Sequence, residues 1–201
     1  MRLHAVVTLV ALLAAMTACT GGKAGSPAPY GTGDPELAAA NPYGGPSDPF
    51  LTDGNAVLRA LDTIGQRYST PLRLTSISAH ANGGLILDVQ KPADKGHVER
   101  YIVSPDGKVL GPIPVKLVVN GGLATRRDID VLLFDPKTIA FTRLDAAARD
   151  AIAHAKLGDA RVYQWGLGGA KKKIYMIVES LTDHRIILLD RQLNIVGQMK
   201  Q

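Results

Sequence analysis

Residues 142–155 read TRLDAAARDAIAHA and residues 161–167 read RVYQWGL; the step from the first run to the second sets the fold. Leu144, Ala147, Ala148, Ala151, Ile152 and Ala155 fall on one stripe at helical spacing. Most are small, so the helix they make sits close to whatever it covers. Thr142, with Asp145 three residues on, approximates a capping box with Asp in place of Glu. Strand-like runs follow near 160–167, 173–180, 184–190 and 193–199. Gly168-Gly169-Ala170, Thr182-Asp183-His184 and Arg191-Gln192 divide them as turns. One helix followed by four strands is therefore the expected unit.

A fainter copy of that pattern lies upstream. Val57, Leu61, Ile64 and Tyr68 make a helical stripe behind an N-cap at Thr52 or Asp53. Ser69-Thr70-Pro71 ends it. Leu72 and Leu74 begin the strands, and Asn82-Gly83-Gly84 turns the chain. Leu85, Leu87 and Val89 alternate with Ile86, Asp88 and Gln90, as a half-buried strand does. Val98–Val103 and Lys108-Val109-Leu110 flank a tight Ser104-Pro105-Asp106-Gly107 turn. Pro112 and Pro114 mark the last strand as short or at an edge. Between the copies, Asn120-Gly121-Gly122 turns the chain and Val131–Phe134 must be buried, as an extra strand or a short helix.

The N-terminus has a different character. Arg2 precedes the apolar run Ala5–Met16, which is too short to span a bilayer comfortably and suits the h-region of an export signal. Met16-Thr17-Ala18-Cys19 follows, and it resembles the bacterial lipobox, with Met where Leu is preferred. The resemblance implies that Cys19 carries a diacylglyceryl thioether and an acylated amine. Two or three acyl chains anchor stably where one does not. Thr20 rather than Asp would then follow the lipidated residue, which favours the outer membrane in a host with two. Residues 20–48 are rich in Gly and Pro and lack apolar periodicity, a composition that reads as a disordered tether. An extended arm docked through Tyr30 or Tyr43 is the alternative.

The totals exclude several classes. With 201 residues and 46% apolar content the chain can bury a core, and its net charge is +5. Its tightest basic cluster is Lys171-Lys172-Lys173, with no interleaved aromatics, so nucleic acid is not an expected partner. Cys19 is the single cysteine, which excludes an internal disulfide and a cysteine-based zinc site. His80, His97, His154 and His184 are scattered and give no metal spacing. Gly166-Leu167-Gly168-Gly169-Ala170-Lys171 runs into a strand rather than a helix, unlike a phosphate loop. No nucleophile elbow occurs, and the strand carboxylates Asp88, Glu99, Glu179 and Asp190 show no acid–base spacing. An enzyme is not expected, and neither is a cofactor or metal.

Arg100–Leu110 resembles the closing strand, Asp-Gly turn and strand of PepSY-type domains, and Leu144–Val162 resembles the opening helix and strand of one. Two helix-plus-four-strand units in tandem also resemble the beta-lactamase inhibitor proteins. Both likenesses imply a secreted binding or inhibitory module with a sheet facing a partner protein.

The reading is an α+β chain with a signal peptide at 1–18 and a tether at 19–50. Two repeats follow, at 51–116 and 117–201, each one helix on a four-stranded antiparallel sheet. Its expected role is protein binding in the cell envelope, as an inhibitor or accessory subunit, anchored to the membrane through lipidated Cys19. Trp165, Tyr163, Tyr101, Tyr175, Arg161 and Arg100 are the candidate partner-binding residues, since Trp, Tyr and Arg dominate interface hot spots. The alternative is a small-molecule or lipid-binding lipoprotein, with a pocket lined by Leu132, Phe134 and Ile152.

Overall fold

The structure, a computed structural model, describes residues 48–68, 70–81, 83–168 and 173–199. The expected export signal, Cys19 and most of the expected tether lie outside the described residues, as does the turn expected at Gly168-Gly169-Ala170 beyond Gly168. Two compact units are distinguished. In one, the described residues are Val118–Leu123, a hairpin of β5 (Val118–Val119) and β6 (Gly122–Leu123). Asn120 and Gly121 take φ of 51° and 82°, the left-handed pair that a two-residue hairpin turn requires.

The other unit, Asp48–Leu117 with Ala124–Gln201, holds the rest. Asp48 caps a short 3-10 turn at Pro49–Leu51, and Asp53 caps α1 (Gly54–Gly65). Strands β1 (Leu74–His80), β2 (Gly84–Gln90), β3 (Val98–Val103) and β4 (Val109–Val115) follow. After the hairpin come α2 (Arg126–Leu132), 3-10 turns at Pro136–Thr138 and Phe141–Arg143, and α3 (Leu144–Ala155). Then come β7 (Arg161–Gly168), β8 (Ile174–Glu179), β9 (His184–Leu189) and β10 (Ile195–Gln198).

The α+β class holds, but the layout of two four-stranded sheets is corrected. The strands form one eight-stranded sheet in the order β10-β9-β8-β7-β1-β2-β3-β4. Its seam is the antiparallel pairing of β1 with β7, Ser76 opposite Gly168 through His80 opposite Gln164. Separate sheets would leave both strands as open edges with unpaired backbone groups; joined, each satisfies the other. At Leu74, beyond the end of β7, Phe134 takes the same position, exchanging hydrogen bonds of 3.0 and 2.9 Å with Leu74. The 131–134 segment is thus the end of a helix at Leu132, its C-cap Leu133 and the bridging Phe134. The expectation that the whole run is buried is corrected, since Phe134 is buried but Val131, on the outer side of the helix, is 69% exposed.

One sheet face carries the core. Ile77, Leu87, Tyr101, Leu167, Met176 and Ile187 lie on it, with Val57, Ala60 and Ile64 of α1 and Leu144, Ala148 and Ala151 of α3 in the same buried cluster. The expected capping box at Thr142 does not form: Arg143 is the N-cap of α3, without a side-chain cap. A capping box does form on α2, where Thr125 and Asp128 exchange hydrogen bonds.

Candidate functional site: the open face of the sheet

Residues opposite one another across antiparallel strands share a face. One such row crosses the sheet: Leu110, Ile102, Ile86, Ser78, Gly166, Tyr175 and Leu188. Ile102, Ile86, Tyr175 and Leu188 are half-buried and belong to no part of the core cluster. Leu110, on the edge strand, is 61% exposed. A second row runs Ile113, Arg100, Asp88, Ser76, Gly168. A third runs His80, Gln164, Ile177, Ile186. This face, opposite α1 and α3, carries aliphatic residues on both wings, and along the β1–β7 seam it is lined by Ser76, Ser78, Gly166 and Gly168 with His80 and Gln164 at one end.

The seam has defined chemistry. A Cβ on Gly166 would stand 2.7 Å from Tyr175 Oη, so the phenol lies over that glycine. Gln164 Nε2 donates to Tyr175 Oη at 2.7 Å, and burial pushes the phenol's pKa up. In the second row Arg100 Nε donates to Asp88 Oδ1 at 2.7 Å and its Nη2 to Oδ2 at 2.9 Å. Ser76 Oγ also donates to Oδ2, at 2.9 Å. Arg100 is held above its usual pKa by that pairing. His80, partly desolvated on the same face, is shifted down. Gln90 donates to Asp130 of α2 at 3.4 Å, tying that helix to one end of the sheet.

The six candidate residues divide between the faces. Tyr175, Arg100 and Arg161 lie on the open face, Arg161 paired with Glu179 at 2.8 Å. Tyr163 sits at a bulge in β7 and is 36% exposed. Trp165 is corrected from anchor to core residue: it is 1% exposed, packs on Phe141 at 5.7 Å between ring centroids, and donates from Nε1 to the Phe50 carbonyl at 2.8 Å. Tyr101 is corrected likewise. It is 2% exposed, and its hydroxyl lies 2.7 Å from that of Tyr68, which also donates to Glu99 at 3.0 Å. What sequence reasoning missed on this face is its aliphatic content, since Ile86, Ile102, Ile177 and Ile186 look like core residues in a strand.

No group of three or more His, Cys, Asp or Glu able to hold a metal occurs among the described residues. None of their helices is long and apolar enough to cross a membrane. A cleft of about 260 Å³ lies between α1 and the β3–β4 turn, with Phe50, Ala60, Val103 and Val109 inside and Arg59 and Asp106 at its mouth. It is not the pocket expected around Leu132, Phe134 and Ile152; Phe134 is in the core.

No protein-family model matches the chain, and no curated protein does. Among solved structures the chain is similar to a candidate lipoprotein of Clostridium difficile 630, with a TM-score of 0.51 and 14% identity. The match covers 72% of this chain and 92% of that one. The likeness is one of fold. The PepSY-type and inhibitor-type likenesses find no support in these comparisons.

Proposed function

We propose that the chain is a lipid-anchored protein of the bacterial cell envelope that binds another envelope protein on the open face of its sheet. The carrying observation is the row Leu110, Ile102, Ile86, Tyr175 and Leu188, outside the core and opposite both long helices. Half-buried aliphatics beside a hydrogen-bonded tyrosine make the mixed surface that protein interfaces use at their centres. Anchoring rests on the lipobox-like Met16–Cys19, and the fold neighbour's description as a lipoprotein agrees with it. The segment after Cys19 serves as a tether holding the folded unit off the bilayer.

Two measurements test this. Labelled palmitate should enter the wild-type chain and not Cys19→Ser. The Cys19→Ser chain, used as bait in an envelope extract, should capture a stoichiometric protein that Ile86→Asp or Ile102→Asp, verified as folded, no longer retains. Equal capture by the Cys19→Ser chain with and without Ile86→Asp or Ile102→Asp would mean that the open face does not hold the partner. The cleft beside Arg59 favours a second reading, a small amphipathic ligand. Co-purification of one small molecule, lost in Ala60→Phe, would select it.

A further inference from the structure

Asp48 opens the second unit, and its side chain has no ordinary place there. The residue is 1% exposed. Oδ1 accepts from the Phe50 amide at 2.9 Å, while Oδ2 has no well-formed hydrogen bond among the described residues, the Gly84 amide approaching the carboxyl only loosely. Burial raises the carboxyl's pKa, and the amides of Phe50 and Gly84 only partly offset it. No charged side chain among the described residues bears on it.

The surroundings make this carboxyl consequential. Phe50, two residues on, gives its carbonyl to Trp165 Nε1 at 2.8 Å. That hydrogen bond ties the 48–51 turn to the centre of the core. Ionised, Asp48 buries a charge that the Phe50 and Gly84 amides only partly satisfy. Protonated, it buries only a neutral dipole, and Oδ1 still accepts from Phe50. The first state costs far more than the second.

We propose that Asp48 is a proton-operated latch, taking up a proton when the 48–51 turn docks and loosening the turn's hold on Trp165 as the carboxylate ionises. The sign follows from linkage. The folded chain holds this proton more tightly than the unfolded chain. The group's stabilisation is therefore complete below the ordinary carboxylate value of about 4 and is lost as pH rises through the folded value. Asp94, Asp106, Asp183 and Asp190 are shifted the opposite way by their hydrogen-bonding partners, so they lose stability on acidification. The whole-protein profile sums both, and a substitution at Asp48 is needed to separate them.

Asp48→Asn keeps an acceptor for the Phe50 amide and cannot ionise. The chain has one tryptophan, Trp165, so its fluorescence reports on this turn. In the full chain, titrated from about pH 8 to about pH 4, wild-type emission should shift with a midpoint above the ordinary carboxylate range, and Asp48→Asn should stay flat. Identical curves overturn the latch. Should Asp48→Asn fail to fold, the carboxyl carbon of Asp48 in the unsubstituted chain is titrated by NMR. A midpoint above about 4 supports the latch, and one at or below it overturns the proposal.

Discussion

Arg100 looks like a docking residue and is first a structural one. Its guanidinium closes a two-point pair on Asp88, whose side chain is 5% exposed against 42% for Arg100. Removing the arginine leaves a nearly buried carboxylate with Ser76 as its remaining side-chain donor. An uncompensated buried charge is costly, and Arg100→Ala should lose about 3 kcal/mol in urea unfolding. Asp88→Asn combined with Arg100→Met removes both charges and should recover most of that loss. A double variant as weak as Arg100→Ala would show that the ion pair is not what holds this row. The comparison also guards the binding test: a capture defect in Arg100→Ala means loss of contact only when the double variant, stable and equally uncharged at that position, shows it too.

At the scale of elements, α1 starts in close contact with the 3-10 turn before α3. A Cβ on Gly54 would stand 1.7 Å from the Phe141 carbonyl oxygen, so the helix start and that turn touch backbone to backbone. Gly54→Ala must separate them and should cost about 3 kcal/mol. Gly158→Ala, whose Cβ meets nothing within 4 Å, should be near neutral, and thermal melts of the pair check both. Periodicity made α1, α3 and most strands legible, because a helix or half-buried strand repeats its burial within a few residues. It could not show that β1 pairs with β7, a contact across more than eighty positions that no local pattern encodes. It also misjudged Trp165. The irregularity between Val162 and Gln164 inserts Tyr163 and resets the alternation, so Val162 and Trp165, three apart, are both buried. The open-face row escaped for a related reason: Ile86 and Ile102 alternate with Leu85, Leu87 and Val103, and hydrophobicity alone does not say which face is covered.

At the scale of the whole sheet, the β1–β7 seam decides how the unit unfolds. If each helix-plus-four-strand half had its own core, weakening one would leave the other protected. Here one buried cluster holds Val57 and Leu87 from the first half with Leu167 and Ile187 from the second. Leu167 is buried on β7 directly opposite Ile77 of β1. Leu167→Ala removes packing from both sides of the seam and should cost about 3 kcal/mol. A single cooperative unit loses stability everywhere at once. Hydrogen exchange should therefore fall together in β3 and β9, which flank the seam at a distance, and far-ultraviolet circular dichroism should melt in step with Trp165 fluorescence. Exchange that quickens in β8 and β9 while β2 and β3 keep their protection would mean that the halves fold separately. The seam would then be a contact between two finished structures rather than the middle of one.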